Sequence, residues 1–233
     1  WGDCGQSYDG WYRSVVDSWV AAGVYPAFSN GNNSNCGYSS DPPLGTVGNP
    51  ARYGNVSGVG STSKSSSTYA PHSNKGPTDN PDPINPVDGW EFLKPQFAAP
   101  GVGIRSSTQG SDTSYASYSG TSMSAPHVTG MIAILTQAAP CLEGQYGILE
   151  DIIMETAFPV PHSSYNTQPN MATGFGEIRV LDAVEVAAGM CGDYIVQGTV
   201  YDDATPANTL AGAKVTLVPT DPDGYTRNVT TNA

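Results

Sequence analysis

At 233 residues the chain is long enough for one well-formed core and part of a second domain. Its formal net charge of −12, from 9 Lys and Arg against 21 Asp and Glu, disfavours nucleic acid as a partner, because phosphate binding depends on Lys and Arg. No apolar run approaches the ~20 residues that cross a bilayer, and with only 13% charged residues the surface must be built largely from Ser, Thr, Asn and Gly, which favours an exported protein.

A helix and two short strands come first in chain order. Apolar residues recur at helical spacing over 7–22 and Gly23 ends the pattern, which predicts a core-facing helix with Trp11 and Trp19 packed inside. Residues 23–32 read as a buried strand that runs into a Gly/Asn turn carrying a side-chain amide. A second buried strand is predicted at 55–60, and a polar stretch rich in Ser, Pro and Asn then extends to about residue 88.

The run GTSMSAPHVTG at 120–130 begins a helix that is apolar almost all round, so we expect it to be buried in the core. Pro126 is tolerated in the first turn, and Pro140 ends the helix. Ser122 lies in that first turn, where the backbone N–H groups have no intrahelical partner and form the positive end of the helix dipole. Negative charge that develops beside Ser122 is therefore stabilised, as a nucleophilic serine requires. The alternative is a serine that only caps its helix.

Two more helices and a change of pattern complete the chain. Residues 144–156 read as an amphipathic helix, and a turn at 174–180 leads into a last helix that ends near Gly189. Helices that alternate with short apolar strands predict an α/β layered domain with a mostly parallel sheet. From residue 194 the alternation has period two, which predicts strands at 195–201 and 212–218.

The 120–130 run resembles the nucleophile motif of the subtilisin-like serine proteases, GTSMAxPHVxG, and departs from it at Ser124, where the family usually has alanine. Two other runs resemble family segments, TVGNPARY at 46–53 and LKPQFAAPG at 93–101. In the second, Gln96 replaces an aspartate, and we expect local hydrogen bonds or charge to be lost. The resemblance covers residues 1–191 and implies the subtilisin-like three-layer α/β/α fold with its N-terminal half missing.

The rest of the chain, residues 192–233, resembles the start of a carboxypeptidase-regulatory-like β-sandwich. A β-sandwich usually needs about 100 residues, so this domain is expected to be partial. The predicted organisation is therefore a portion of a subtilisin-like peptidase domain followed by a truncated all-β sandwich.

The resemblance implies roles for five residues. Ser122 would be the nucleophile, and Asn32 would donate to the oxyanion together with the Ser122 N–H; the alternative is that Asn32 only tolerates a left-handed turn. Trp1 and Gly2 resemble the strand edge that pairs with substrate backbone beside the specificity pocket. Gly48 would form the pocket floor, which leaves room for a bulky apolar or aromatic substrate residue; the alternative is a turn glycine.

No segment of this sequence matches the family motif that contains the general base. No histidine stands in the family's HGTHV context, and no Asp-Thr-Gly or Asp-Ser-Gly motif occurs. His127 lies roughly 140° around the helix from Ser122, so its ring should point away, and we expect a packed structural histidine. His72 and His162 lie in loops. The resemblance implies that the catalytic His and Asp lie upstream of residue 1, and that this polypeptide alone would be inactive.

The pairing of the cysteines depends on whether the protein resides in an oxidising compartment. Four cysteines permit three pairings. In an oxidising compartment the expected set is Cys4 with Cys36 and Cys141 with Cys191, and free buried cysteines are the alternative. The first bridge would tie the pocket strand to the Asn32 loop, and the second would join the ends of two helices.

The predicted function is a secreted, monomeric serine endopeptidase that hydrolyses peptide bonds in proteins through an acyl-enzyme on Ser122. A pseudoprotease that binds peptides without cleaving them is the main alternative. A sedolisin-type acid peptidase is a third, which the amide at Asn32 disfavours. No cofactor is required and no acidic cluster predicts a metal site, although the resemblance allows a structural calcium ion.

Overall fold

A central parallel sheet organises the first part of the chain. The computed structural model describes residues 8–79, 92–165 and 167–191, and the backbones of strands Lys214–Leu217 and Arg227–Thr230. The sheet has the order β1–β2–β3, with β1 at Ala27–Ser29, β2 at Ser57–Ser63 and β3 at Phe97–Val102. Both pairs of neighbouring strands are parallel, with Ala27 opposite Ser57 and Val59 opposite Phe97.

Helices surround this sheet. The α-helices of the described residues are α1 (Arg13–Ala21), α2 (Thr121–Ala138), α3 (Tyr146–Thr156) and α4 (Val180–Met190). Short 3₁₀ turns lie at Asn33–Cys36 and Pro140–Leu142. An antiparallel hairpin of β4 (Ile104–Ser107) and β5 (Tyr115–Tyr118) connects β3 to α2. β1, β2 and the three later helices therefore lie close to their predicted positions, whereas β3, β4 and β5 have no counterpart among the predicted strands.

The main core lies between the sheet and α2, α3 and α4. Val59 and Phe97 of the strands pack with Val128, Met131 and Leu135 of α2, all of them buried. The three α2 residues follow the spacing of one helix face. Because α2 contacts all three strands, this packing fixes where its N-terminus lies relative to the sheet.

A smaller cluster covers the opposite face. Val16 of α1 packs with Tyr53 and Val56, and Phe28 lies against them. Successive side chains of a strand point to opposite faces, so Ala27 contacts the main core while Phe28 contacts the α1 cluster. Helices therefore lie on both faces of a parallel sheet, which confirms the predicted layered α/β architecture.

Two predictions of helix burial are wrong. In α1 only Val16 is buried, whereas Trp11 is 76% and Trp19 is 42% exposed. Within the described structure α2 is covered on one face, and Ile134 on the other face is 46% exposed. Periodicity identifies apolar faces, but it does not show which of them meets a partner.

Gln96 makes three side-chain hydrogen bonds, so of the two expected losses, hydrogen bonds or charge, the structure supports that of charge. Its Oε1 accepts from the Gly58 N–H at 2.7 Å and from Lys94 Nζ at 3.1 Å, and its Nε2 donates to the Val56 carbonyl at 2.8 Å. An amide carries both donors and an acceptor, so it can bond to the carbonyls and the N–H groups of one strand end. The side chain differs from aspartate mainly in charge.

One of the two expected disulfides is confirmed. Cys141 and Cys191 are bonded, which joins the turn after α2 to the end of α4. The other expected pair includes Cys4, which lies outside the described residues, as do Trp1 and Gly2.

The chain divides into two compact units, Trp1–Gly192 and Asp193–Ala233. In the second unit β6 (Lys214–Leu217) pairs antiparallel with β7 (Arg227–Thr230). The strand predicted at 212–218 is thus observed as β6, and the one predicted at 195–201 lies outside the described residues. The β-sandwich stays a prediction.

Candidate active site

Ser122 lies at the carboxyl edge of the parallel sheet. It is the second residue of α2 and is exposed. The Gly120 N–H donates to the Gly101 carbonyl in β3 at 2.8 Å, which fastens the start of the helix to the sheet. The Ser122 N–H has no acceptor within the helix, because the first four N–H groups of a helix lack one. Ser122 therefore offers an unbonded hydroxyl and an N–H donor among the residues that the structure describes.

Asn32 follows β1 and lies against the same helix start. Its Oδ1 accepts two hydrogen bonds from Thr121, one from the backbone N–H at 3.0 Å and one from Oγ1 at 3.2 Å. A backbone N–H can only donate, so this contact assigns the oxygen side of the Asn32 amide. Among the described residues its Nδ2 has no acceptor and can donate, and it lies 3.4 Å from the point where a Cβ on Gly120 would be. The structure thus brings Asn32 and Ser122 together.

Thr121 connects the two, a role that the sequence motif alone does not show. Its side chain is buried, and its Oγ1 accepts from the Gly31 N–H at 3.2 Å while it donates to Asn32 Oδ1. One hydroxyl therefore bonds to two successive residues of the loop after β1. This arrangement fixes the loop relative to α2 without using the Ser122 side chain.

Gly48 lies in a loop that is bonded to the same segment. Gly48 is buried, and its N–H donates to the Asn30 carbonyl at 3.1 Å. Arg52 holds the loop from within, because its guanidinium donates to the Val47 carbonyl at 2.6 Å and to the Gly45 carbonyl at 2.9 Å. The loop that contains Gly48 is therefore held next to the loop that contains Asn32. Its role as a pocket floor stays a prediction.

Neither His127 nor His72 bonds to Ser122 in the described residues. His127 is exposed, and its Nδ1 lies 2.8 Å from the Met123 carbonyl, so the expectation of a packed histidine is wrong. The side chain lies over the turn that precedes it, away from the sheet. His72 is half-buried and accepts from the Asn33 N–H through its carbonyl, and burial lowers the pKa of its imidazole.

His162 belongs to a separate buried cluster. Its Nε2 lies 3.5 Å from Asp41 Oδ1, which also binds Lys75 Nζ at 2.6 Å. The Ser164 N–H donates to His162 Nδ1 at 3.1 Å, so the neutral ring carries its proton on Nε2. Burial, then the nearby Lys75 charge, lower the pKa of His162. The members of this cluster come from separate loops, so no local pattern in the sequence predicts it. Its histidine does not contact Ser122 in the described residues.

Other features of the described structure lie away from Ser122. No three His, Cys, Asp or Glu side chains among the described residues are grouped so as to hold a metal ion, and structural calcium stays a prediction without a site. An apolar cleft of about 150 Å³ lies between α1 and β1, lined by residues that include Val15, Trp19 and Phe28. None of the described helices is both long and apolar enough to cross a membrane.

An α/β serine hydrolase needs an exposed serine at a helix N-terminus with N–H donors beside it. Ser122 and Asn32 match that part of the arrangement. The sequence matches the Subtilase family over residues 1–177, and the chain belongs to that family of subtilisin-like serine proteases. Membership agrees with the resemblance found in the 120–130 run.

Known relatives are longer than this chain. It is 34% identical to Bacillopeptidase F of Bacillus subtilis (strain 168) over 216 residues, which are 93% of this chain and 14% of that protein. It is 34% identical to the minor extracellular protease Vpr of the same organism over 103 residues, 42% of this chain and 12% of that protein. The chain therefore spans a small part of the length of these relatives.

A solved structure shows the same fold. The prenylagaramide maturation protease PagA superposes with a TM-score of 0.55 at 19% sequence identity, over 78% of this chain and 57% of that one. At this identity the likeness concerns the fold alone. It supports the subtilisin-like arrangement of helices around the parallel sheet.

Proposed function

We propose that this chain carries the nucleophile and the oxyanion hole of a secreted subtilisin-type serine endopeptidase. Ser122 Oγ attacks the carbonyl carbon of a peptide bond, and its proton passes to a histidine base. The carbonyl oxygen becomes an oxyanion that Asn32 Nδ2 and the Ser122 N–H stabilise. Collapse of the intermediate transfers the proton to the leaving amine, and water then hydrolyses the acyl group from Ser122. The base and its orienting aspartate are proposed to lie outside residues 1–233.

The orientation of the Asn32 amide supports this proposal most strongly. If Asn32 served only a turn, its side chain would need no bonds to α2, yet Thr121 binds its Oδ1 twice. These bonds direct Nδ2 away from Thr121 and make it available beside the start of α2. Donors held in place before the reaction stabilise developing charge without reorganisation, which is the main requirement of an oxyanion hole.

The substrate class follows from the family and the pocket loop. Proteins and peptides are the proposed substrates, with Gly48 at the floor of the pocket and Trp1 and Gly2 pairing with the substrate backbone. Gly48 contributes neither a side chain nor a charge, so a bulky apolar or aromatic residue is the proposed preference.

Two observations support secretion. One relative, Vpr, is by its name an extracellular protease. The Cys141–Cys191 disulfide is of a kind that persists in oxidising compartments. We propose that the enzyme acts outside the cell as a monomer.

The first prediction concerns hydrolysis by the complete gene product that contains this chain. Ser122→Ala abolishes cleavage of a peptide substrate, and Asn32→Ala lowers kcat by about 10²–10³, the range known for such a donor in a subtilisin. Asn33→Ala is the matched control, because the bond of Asn33 to His72 uses its backbone N–H, and kcat should stay within about twofold. Equal losses in the two asparagine variants would contradict the assignment of Asn32. A folded wild type that cleaves nothing would favour the pseudoprotease.

A further inference from the structure

Residues 72–75, here called the strap, run between two loops of the proposed site. The oxyanion loop is defined as residues 30–33 and the pocket loop as residues 45–48. On one side of the strap, the Asn33 N–H donates to the His72 carbonyl at 2.8 Å. On the other side, the N–H groups of Thr46 and Val47 donate to the Lys75 carbonyl at 2.9 and 3.0 Å. The strap therefore bonds to both loops at once.

Asn74 is the residue of the strap that contacts both loops. It is fully buried. Its backbone N–H donates to the Gly31 carbonyl at 3.0 Å, and its carbonyl accepts from Asn30 Nδ2 at 2.5 Å. Its own Nδ2 donates to the Thr46 carbonyl at 2.8 Å. Three hydrogen bonds thus connect one residue to the oxyanion loop and to the pocket loop.

The oxyanion loop is also shaped around the Asn74 side chain. Gly31 has φ +96°, a conformation that residues with side chains rarely adopt. A Cβ at this position would lie 2.7 Å from Asn74 Nδ2, closer than a carbon can approach. The Asn74 amide therefore occupies the space beside the residue that immediately precedes Asn32.

We infer that Asn74 is a positioning residue that fixes the oxyanion loop and the pocket loop relative to each other. This inference rests on the proposed function of Asn32 and Gly48. Loss of the Asn74 amide frees the Thr46 carbonyl in the pocket loop and opens space beside Gly31 in the oxyanion loop. The backbone bonds of Asn74 to Gly31 and Asn30 remain, so the oxyanion loop loses a packing contact and the pocket loop loses a hydrogen bond. The expected result is a fall in kcat, through Asn32, together with a change in substrate selectivity, through the pocket loop.

The kinetic test uses the complete gene product and two peptide substrates that differ only at the residue that enters the specificity pocket, aromatic in one and small in the other. Asn74→Ala should lower kcat by about tenfold or more, because displacements near 1 Å can cost about 10² in rate. It should also change the ratio of the two kcat/KM values by several-fold. Asn74→Ser is the milder variant if the alanine variant does not fold.

Gln96→Ala is the matched control. Gln96 is also a buried amide with three hydrogen bonds, but its partners are Val56 and Gly58 at the start of β2 and Lys94 before β3. This variant should lose stability while both kcat and the selectivity ratio stay within about twofold, measured well below its unfolding temperature. Kinetic changes in Gln96→Ala equal to those in Asn74→Ala would overturn the inference, since any buried amide would then have the same effect.

A double-mutant cycle tests whether Asn74 acts through Asn32. In an Asn32→Ala background the oxyanion donor is already absent, so Asn74→Ala should have little further effect on kcat. The change in selectivity should persist, because it depends on the pocket loop. Fully additive losses in kcat would show that Asn74 does not work through Asn32.

Amide hydrogen exchange gives a readout that does not require activity. In Asn74→Ala, peptides that cover residues 30–33 and 45–48 should lose protection together by about tenfold or more, and in Gln96→Ala they should not. Unchanged exchange in both loops would overturn the inference even if the enzyme is active. A folded wild type without activity would contradict the proposed function alone, and the exchange result would still decide the role of Asn74.

Discussion

Ser124 is the residue at which the 120–130 run departs from the family motif. Its side chain is buried, and its Oγ has no hydrogen-bond partner among the described residues. Together with Ser61, it occupies the space that a Cβ on Gly101 would need. An unsatisfied buried hydroxyl costs about 1–3 kcal/mol, so this serine destabilises the start of α2 relative to alanine.

We therefore expect Ser124→Ala to stabilise the protein by about 1 kcal/mol, because it removes an unpaired polar atom and leaves only a small void. The measurement is the thermal unfolding midpoint. Ser57→Ala is the control, since Ser57 is equally buried but its Oγ bonds to Glu150 at 2.7 Å and to Tyr25 at 2.6 Å. That variant should be less stable than wild type. A loss of stability in Ser124→Ala as large as in Ser57→Ala would contradict this interpretation.

At the scale of elements, α3 is joined to the sheet by buried ionisable groups. Glu150 of α3 accepts from Ser57 Oγ and from Tyr146 OH, at 2.7 and 2.8 Å. Lys94, before β3, donates to the Val56 carbonyl at 2.6 Å and to Gln96. Burial raises the pKa of Glu150 and lowers that of Lys94 to about 7, and each charge opposes the shift of the other. Each of the two groups therefore favours the charged form of the other, although Gln96 itself is neutral.

This pair makes stability depend on pH. Lysine in an unfolded chain has a pKa of about 10.4. Between pH 7 and that value the unfolded chain binds a proton that Lys94 loses in the folded state, so stability should rise with pH in this window. The gain between pH 7 and 9.5 should be about 3 kcal/mol larger in wild type than in Lys94→Met. Unfolding in urea at both pH values measures it, and equal gains in the two proteins would show that Lys94 is charged throughout.

At the scale of the whole molecule, the Cys141–Cys191 disulfide closes a loop with a sequence separation of 50 residues. This loop contains α3 and α4, so the bond ties the outer helices to the end of α2. Ser122 lies at the other end of α2, which at 18 residues is about 27 Å long. The disulfide should therefore affect stability without affecting the geometry of the site.

Replacing both Cys141 and Cys191 by serine should lower the free energy of unfolding by up to about 4 kcal/mol, since the unfolded chain regains the entropy of an open loop. The unfolding midpoint measures this loss. Below that midpoint, hydrolysis should match wild type. An unchanged midpoint, or lost hydrolysis in a variant that is still folded, would contradict the separation of stability from activity along α2.

Local patterns predicted those parts of the fold that depend on nearby residues. Apolar residues repeat at helical spacing within α2, α3 and α4, and they alternate with polar residues within β6. The motif at 120–130 includes Ser122 itself. The role of Asn32 comes from the resemblance to the family, although four asparagines stand close together there. The contact with Thr121 distinguishes Asn32 from its neighbours, and that contact spans 89 positions.

The wrong or missing predictions concern contacts between distant segments. The apolar pattern of α1 does not show that Trp11 would be mostly exposed, nor does a Gln-for-Asp change show that the amide can bond to three partners. The connections of Asn74 and the cluster around His162 arise from loops that fold next to one another. Such residues carry no local pattern, so only the structure identifies them.

Labelling with a fluorophosphonate tests the central claim most directly. The probe phosphonylates a serine only when its hydroxyl is activated and an oxyanion hole is formed. Treatment of the folded, complete gene product should give one modified peptide that contains Ser122, and Ser122→Ala should abolish the modification. Labelling at another serine, or none in a folded protein, would contradict the account of Ser122 as the nucleophile.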